Sequence, residues 1–363
     1  MTLSKPPMGW SSWNCFATSI SDEIIRTQAR AIKESRLDHH GFNYINIDDG
    51  WQGERAGKHN SLQGNSKFPD MNDLVSYIHS LGLKIGIYST PWEKSYGGYP
   101  GSKGYETNDV EQFCKWGFDF LKYDWDMSDP STPHEIYLTT IRKAIDKSGH
   151  DMILSLSNSA PMEKASVWAQ NANMWRTTGD IVDTWESVYG IGLYQLEWQN
   201  FKSPGHWCDP DMLVIGKLGW GGEIRPTQLT PTEQRTHITL WSILGAPLIL
   251  GCDLTKLDEL TYTLLTNREV IRINQDCKCS PCRKIMQKNE IDILTRSLGN
   301  NSLAMAFINS RNDAQNLEIT LDELGINTTV KMKDLWAEND TTIDNKKIKI
   351  ALEPHESKFY KLS

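Results

Sequence analysis

The chain has 363 residues, of which 39% are hydrophobic and 23% charged, a composition that is ordinary for a globular protein. This length predicts one large domain with a smaller one beside it. The formal net charge of −8, with no block of basic residues, argues against a nucleic-acid partner because a polyanion would be repelled. No apolar run approaches the length that spans a bilayer, so the sequence predicts no association with a membrane.

Short β-type runs alternate with helical patterns over most of the chain, which predicts parallel βαβ units. In chain order we predict eight strands, at Met8–Trp13, Tyr44–Asp49, Leu83–Ser89, Phe118–Trp125, Met152–Ser157, Met174–Asp180, His206–Met212 and Pro247–Asp253. Amphipathic helices are predicted between several of them, at Asp22–Ser35, Met71–Leu81, Asp109–Trp116, His134–Lys147 and Thr232–Leu244. Eight such alternations within about 280 residues match the usual size of an α/β protein of the (β/α)8 TIM barrel class.

After about residue 288 the pattern changes to short strands separated by Asn, Gly and Asp turns. The predicted strands are Ile291–Thr295, Leu303–Ile308, Leu317–Leu321, Val330–Leu335 and Ile348–Leu352. We therefore predict a catalytic barrel over residues 1–287 and a C-terminal antiparallel β-sandwich over residues 288–363. No low-complexity linker separates the two, so we expect them to pack directly against each other.

The first seven residues show no basic stretch followed by an apolar one. Two alternatives for the location stay open: a secreted or periplasmic protein whose signal peptide has been removed, or a cytoplasmic protein. Seven cysteines cannot all pair within one chain, and Cys277, Cys279 and Cys282 lie together without a fourth metal ligand nearby. We interpret these three as unpaired surface cysteines rather than as a metal site or a local disulfide, and we predict no metal and no cofactor.

Barrel enzymes carry their active sites at the carboxyl ends of the strands, and acidic residues fall at those ends in this chain. Asp124 lies near the end of the fourth predicted strand, on the same face as Lys122 and Asp126. A lysine beside an aspartate lowers the pKa of the carboxyl and keeps it ionised, as a nucleophile requires. A buried structural ion pair would have the same spacing, but the carboxylates at neighbouring strand ends favour a catalytic site.

Hydrolysis of a glycosidic bond needs two carboxyl groups at the bond, one ionised and one protonated. Asp124 offers the first, and Asp180, at the end of the sixth predicted strand, offers the second. The adjacent pair Asp48 and Asp49 beside Trp51 suits the hydroxyls of a sugar, which carboxylates bind through paired hydrogen bonds. A divalent cation would usually need more oxygen ligands than this pair provides, so we interpret the pair as sugar-binding.

Six motifs, in register along the chain, resemble glycoside hydrolase family 27, the family of the α-galactosidases (melibiases) and α-N-acetylgalactosaminidases. They are Met8-Gly9-Trp10-Ser11-Ser12-Trp13-Asn14, Ile47-Asp48-Asp49-Gly50-Trp51, Gly86-Ile87-Tyr88-Ser89, Leu121-Lys122-Tyr123-Asp124, Trp175-Arg176 with Gly179-Asp180-Ile181, and Gly205-His206-Trp207-Cys208-Asp209-Pro210-Asp211-Met212-Leu213. The resemblance implies a barrel with a C-terminal β-sandwich and a double-displacement mechanism with retention. It implies Asp124 as the nucleophile and Asp180 as the general acid/base. The substrate contacts expected on this basis are Asp48, Asp49, Lys122 and Arg176, with Trp13 and Tyr88 shaping the pocket and Asp126, Ser157, Ala160 and Asp211 completing the set.

The loop after the fifth strand departs most from the family pattern. Galactosidases of the family typically carry Cys-Glu-Trp there, and the glutamate helps to exclude an N-acetyl group. This chain instead has the small residues Ser157 and Ala160, which are similar to the Ser/Ala pair of the N-acetylgalactosaminidases. Cysteines of the family are also missing, since their places hold Thr18, Gly50 and Asp126, and this fits a protein that does not rely on oxidative folding.

The predicted function is that of a retaining exo-glycosidase that removes terminal α-D-galactosyl residues from a galactose-containing oligosaccharide or glycoconjugate. An α-N-acetylgalactosaminidase and a β-L-arabinopyranosidase stay as alternatives on the same scaffold, although the presence of both Asp48 and Asp49 argues against the second. An inactive carbohydrate-binding protein is the alternative outside the enzymes, and the presence of both Asp124 and Asp180 argues against it. Whether the chain forms a homo-oligomer is left open.

Overall fold

A computed structural model describes residues 3–125, 133–326, 330–343 and 347–363. Within these residues, eight parallel strands form one curled sheet. The strands are β1 Met8–Ser11, β2 Tyr44–Asn46, β3 Lys84–Ser89, β4 Phe120–Asp124, β5 Ile153–Ser157, β6 Met174–Arg176, β7 Trp207–Asp209 and β8 Leu248–Leu250. β1 pairs with both β2 and β8, and Leu213, which follows β7, bridges to Leu250, so the sheet closes into a barrel.

Each of the eight predicted strands is present, and each is shorter than its predicted range. The residues beyond the carboxyl ends, among them Asp48, Asp49 and Asp180, leave the strand ladder and enter the loops. The strand ends therefore deliver the acidic residues to one face of the barrel.

Helices alternate with the strands on the outside of the barrel. They are α1 Asp22–Glu34, α2 Met71–Ser80, α3 Glu106–Trp116, α4 His134–Ser148, α5 Ala165–Asn171, α6 Trp185–Trp198, α7 Pro231–Leu244, α8 Glu259–Thr266 and α9 Arg268–Asn274. Gly117 follows α3 with a φ of 96°, which a glycine adopts freely, and it turns the chain directly into β4. No helix in the described part of the chain is long and apolar enough to cross a membrane.

The C-terminal domain is an antiparallel β-sandwich. Its strands are β9 Cys282–Lys288, β10 Ile291–Ser297, β11 Leu303–Asn309, β12 Gln315–Thr320, β13 Val330–Asp334, β14 Asp340–Ile343, β15 Lys347–Leu352 and β16 Ser357–Leu362. Across the described ranges, one sheet has the order β9-β10-β11-β16-β13-β14, and β12 pairs with β15 in the other. Apolar side chains from both sheets, such as Phe307 and Ile350, form a shared core.

Strand β9 pairs with β10, so the sheet includes residues on both sides of the predicted division between 287 and 288. The position of the domain boundary stays a prediction. The two domains pack directly, because α7 of the barrel lies against the sandwich. The Thr236 hydroxyl donates to the carbonyl of His355 at 2.7 Å, and the Trp336 indole N–H donates to the Thr239 hydroxyl at 3.0 Å.

All seven cysteines lie in the described ranges, and each is a free thiol there. Cys277 is exposed and Cys279 is half-buried, but Cys282 is buried. The expectation of three surface cysteines is therefore wrong for Cys282, because this residue begins β9 and packs into the main core.

Candidate active site

A cavity of about 310 Å³ lies at the carboxyl ends of the barrel strands. This volume is at the lower end of the range for small-molecule sites, about 300–1,000 Å³. Ten of the predicted site residues line the cavity, namely Trp13, Asp48, Asp49, Tyr88, Lys122, Asp124, Ser157, Arg176, Asp180 and Asp211. Ala160 is buried outside this lining, where its backbone N–H donates to the carbonyl of Arg176 at 2.7 Å. Asp126 lies outside the described residues.

Asp48 is buried and fixed from three sides. Its Oδ2 accepts from Lys122 Nζ at 2.8 Å and from the Ser11 hydroxyl at 3.2 Å. Its backbone N–H donates to the Ser12 hydroxyl at 2.9 Å. Lys122 therefore pairs most closely with Asp48, a partner that sequence alternation along one strand does not reveal.

Asp49 serves as an anchor for the loop that follows β3. Its Oδ1 accepts from Gln52 Nε2 at 2.9 Å, and its Oδ2 accepts from the backbone N–H of Gly97 at 2.7 Å. Burial raises the pKa of Asp49, while hydrogen bonds from Ser95 and Gly97 oppose that rise. The carboxyl thus holds the loop in place while it lines the cavity.

Asp124 is the last residue of β4 and is partly buried in the cavity. The Tyr88 hydroxyl donates to Asp124 Oδ2 at 2.9 Å, and the Ser157 hydroxyl also hydrogen-bonds the carboxyl. Burial raises the pKa of Asp124 to about 6, and the charge of Lys122 only partly opposes this. Lys122 acts in the direction predicted from the sequence, but the larger contribution of burial, which the sequence did not reveal, leaves the pKa of Asp124 above its ordinary value.

Asp180 lies in the loop after β6, and 77% of its side chain is exposed. Arg176 Nη2 contacts Asp180 Oδ1 at 2.9 Å, and Arg176 Nη1 contacts Asp211 Oδ1 at 3.1 Å. Partial desolvation acts to raise the pKa of Asp180, but the charge of Arg176 outweighs it and holds that pKa below its ordinary value. One guanidinium therefore connects an exposed carboxylate to a buried one.

Asp211 shapes the loop that carries Asp180. Its Oδ2 accepts from the backbone N–H of Ile181 at 2.9 Å, and its own backbone has a φ of 82°, a conformation that non-glycine residues rarely adopt. The Trp241 indole N–H donates to the Asp211 carbonyl at 2.9 Å and holds this backbone. Strained backbone of this kind concentrates at functional sites.

Three further residues stand out that sequence reasoning did not place in the site. Tyr96 and Ser159 line the cavity. Asp209 pairs with Arg176 in the β6–β7 register, and burial raises the pKa of its carboxyl to about 6. The sequence indicates Asp209 as a site residue, since it precedes Pro210 and Asp211 at a strand end. It also indicates Tyr96, an aromatic residue before two glycines in the loop after β3.

Among the residues that the structure describes, no group of three or more His, Cys, Asp or Glu side chains is arranged to hold a metal ion. Five carboxyl groups line the cavity, and they include Asp124 and Asp180, the two that the sequence predicts as nucleophile and acid. Hydrogen-bond donors and acceptors surround them. A neutral, hydroxyl-rich substrate fits such a lining.

The chain is similar to known proteins over almost its whole length. Residues 5–276 match the family model described as α-galactosidase A, and residues 288–362 match that of the α-galactosidase C-terminal β-sandwich domain. The chain is similar to α-galactosidase 2 of Arabidopsis thaliana, with 35% identity over 99% of this chain and 89% of that protein. It is also similar to the crystal structure of α-galactosidase I from Mortierella vinacea (TM-score 0.91, 29% identity, 99% and 97% of the two chains). A β-L-arabinopyranosidase of glycoside hydrolase family 27 from Geobacillus stearothermophilus gives a TM-score of 0.89 at 29% identity over 99% and 96%.

The two family matches together cover almost the whole chain, in the order of its two domains. They confirm the fold predicted from the sequence and the resemblance drawn from its six motifs. The chain is a glycoside hydrolase that belongs to family 27, the α-galactosidase family.

Proposed function

We propose that this enzyme is a retaining α-galactosidase that hydrolyses terminal α-D-galactosyl residues of oligosaccharides or glycoconjugates. The observation that carries the proposal is the pair of carboxyl groups on one cavity of limited volume. Asp124 is supported by hydrogen bonds from Tyr88 and Ser157, which favour its ionised form. Asp180 is exposed at the same cavity, where it can reach the oxygen of a departing group.

In the first step the Asp124 carboxylate attacks the anomeric carbon, and the bond from that carbon to the leaving oxygen breaks. Asp180 donates its proton to the leaving oxygen, so the aglycone departs as an alcohol. In the second step Asp180, now a carboxylate, accepts a proton from water as the water oxygen attacks the anomeric carbon. The ester bond to Asp124 breaks, and galactose leaves with its original anomeric configuration.

The first step requires that Asp180 carries a proton. Arg176 holds the pKa of Asp180 low, whereas an acid catalyst must be protonated. A bound galactosyl unit removes water from Asp180, which raises its pKa, and the hydroxyls of the sugar offer Arg176 other acceptors. Asp211, the second carboxylate on Arg176, shares the positive charge and limits its hold on Asp180.

Asp48 and Lys122 form a donor and acceptor pair suited to vicinal sugar hydroxyls. One observation favours α-N-acetylgalactosaminidase as a second candidate. The cavity is lined on the β5 side by the small residues Ser157 and Ser159, which leave room for a substituent on the sugar. The similarity to a β-L-arabinopyranosidase keeps that sugar, which is galactose without C6, as a third substrate to test.

The test compares kcat/KM for p-nitrophenyl α-galactoside, p-nitrophenyl α-N-acetylgalactosaminide and p-nitrophenyl β-L-arabinopyranoside. We expect the α-galactoside to be the best substrate. A higher value for either of the others would replace galactose in the proposal. Proton NMR of the first product should show α-galactose before mutarotation, and the β-anomer would contradict retention.

A further inference from the structure

Tyr96 is the exposed aromatic residue among the described residues that line the cavity. It lines the cavity, yet 53% of its surface is exposed to solvent. Polar groups of Asp48, Lys122 and Arg176 in the same lining are buried or nearly so. Tyr96 therefore lies where the cavity opens to solvent, and its ring offers the flat apolar surface on which the C–H face of a sugar packs.

Contacts within the protein hold the loop that carries Tyr96. The residues on either side of Tyr96 both bond to Asp49, Ser95 through its hydroxyl and Gly97 through its backbone N–H at 2.7 Å. A Cβ at Gly97 would lie 2.7 Å from Asp49 Oδ2, so the close approach requires glycine. The ring of Trp92 packs edge-on to that of Tyr96, with 5.5 Å between the centroids. A ring held this way can bind a partner at a reduced entropic cost.

We propose that Tyr96 is a specificity-determining residue that packs against the leaving group, the sugar or aryl unit attached to the galactosyl residue. The proposal rests on the function proposed above, in which the buried polar groups bind the galactosyl unit. The rest of the substrate must then extend through the open end of the cavity, which is where the Tyr96 ring is exposed. The ring face, rather than the hydroxyl, makes the contact.

The experiment measures kcat/KM for three α-galactosides that differ only in the aglycone. Melibiose and p-nitrophenyl α-galactoside carry a ring there, and methyl α-galactoside does not. For Tyr96→Ala we expect a fall of about fivefold to tenfold on the first two and less than about twofold on the third. Tyr96→Phe keeps the ring and should stay near wild type on all three substrates.

Tyr262→Ala is the matched control. Tyr262 is also an exposed tyrosine, 38% exposed, but it lies on α8 and outside the cavity. This variant should leave the three values and their ratios unchanged. The inhibition constant of free galactose should also stay the same in Tyr96→Ala, because galactose has no leaving group.

An equal fall on all three substrates, or weaker inhibition by galactose, would overturn the proposal and assign Tyr96 to the galactosyl unit or to support of the loop. A fall of Tyr96→Phe to the level of Tyr96→Ala would assign the contact to the hydroxyl and overturn it as well. Wild-type enzyme that prefers another sugar would instead refute the proposed function. The same variants would then be measured on the p-nitrophenyl and methyl glycosides of the preferred sugar.

Discussion

Asp124 and Asp180 belong to regions of the barrel that are built differently. Asp124 ends a strand and is surrounded by the fixed side chains of Lys122, Tyr88 and Ser157. Asp180 lies in a loop, largely exposed, with Arg176 as its charged partner. Burial raises the pKa of the first to about 6, and Arg176 lowers that of the second.

This order is the reverse of what the two proposed roles need, since the nucleophile must be ionised and the acid protonated. Asp124, which its neighbours hold in place, supplies the geometry for attack. In the proposed mechanism Asp180 takes up its proton only when a sugar covers it. In the proposed mechanism a bound sugar removes water from Asp180 and gives Arg176 other partners, so the pKa of Asp180 depends on the substrate. Four substitutions test this contrast between Asp124 and Asp180.

The largest effect is expected from Asp124→Ala. Removing the nucleophile prevents the covalent intermediate, so kcat should fall by more than about 10⁴-fold on every substrate. Sodium azide should restore part of the activity on p-nitrophenyl α-galactoside and yield β-galactosyl azide, because the anion occupies the space of the lost carboxylate. Turnover near the wild-type level would exclude Asp124 as the nucleophile.

Asp180→Asn should act on only part of the reaction. The loss of the acid should lower kcat/KM by about 10²–10⁴-fold for oligosaccharides, whose leaving groups are poor, and much less for p-nitrophenyl α-galactoside. Asp183→Asn is a control from the same loop, because Asp183 pairs with Arg225 and does not line the cavity. It should leave the ratio between the two substrates unchanged. Equal losses on both substrates in Asp180→Asn would mean that Asp180 is not the acid.

The third substitution tests whether the ionised Asp124 carboxylate lowers the free energy of unfolding. The pKa of Asp124 lies above its ordinary value of 3.8, so its ionised form is less favourable in the folded protein than in the unfolded chain. This penalty is fully present above pH 6 and disappears as the pH falls below about 4. At pH 7 Asp124→Asn should therefore have a free energy of unfolding about 1–3 kcal/mol above that of wild type and unfold at a higher temperature. Near pH 4 this difference should disappear.

Thermal unfolding followed by circular dichroism at the two pH values measures this difference. Asp109→Asn provides the opposite case, because Asp109 is a buried carboxylate that Arg55 neutralises at 2.8 Å. The loss of its charge leaves the half-buried Arg55 without its ionic partner and should destabilise the protein at pH 7. A destabilised Asp124→Asn at pH 7 would show that Lys122 compensates Asp124 fully and that no strain is stored.

The sequence predicted the eight barrel strands because each is a short apolar run bounded by turn residues and followed by polar ones. It missed α5, α6, α8 and α9. In α6, Gly190 and Gly192 interrupt the helical pattern and apolar side chains occur around most of the helix. It also missed β9, β14 and β16, which mix lysine, arginine, threonine or serine with few apolar residues. Such strands are stabilised by their neighbours in the sheet, and a single sequence does not contain that information.

Within the site, motif order was enough to bring Asp48, Lys122, Asp124, Arg176 and Asp180 to one cavity. What the sequence could not supply was the balance of forces there. The pKa of Asp124 depends on how much water its surroundings exclude, which is a property of the assembled barrel. The place of Tyr96 depends on how Asp49 holds a loop nearly fifty residues further along the chain.

The smallest effect is expected at Ser157, where two roles compete. Its resemblance to the N-acetylgalactosaminidases implies a position beside the N-acetyl group, which those sugars carry on their 2-position. The Ser157 hydroxyl also hydrogen-bonds the Asp124 carboxyl and lowers the pKa of Asp124. In Ser157→Ala that pKa should rise, and less Asp124 should be ionised at a given acidic pH. The acidic limb of the kcat/KM profile should therefore move to higher pH. Activity should fall about twofold to fivefold at acidic pH and change little at pH 7.

Ser155→Ala is the control on the same strand, since Ser155 points to the same side of β5 but lies outside the lining of the main cavity. It should leave the acidic limb in place. If Ser157→Ala alters the ratio of α-galactoside to α-N-acetylgalactosaminide hydrolysis without moving the limb, Ser157 selects the sugar and does not tune the nucleophile. If the acidic limb of the kcat/KM profile shifts and the ratio between the two substrates stays the same, Ser157 acts on Asp124. Another residue of the cavity would then contact the 2-position of the sugar.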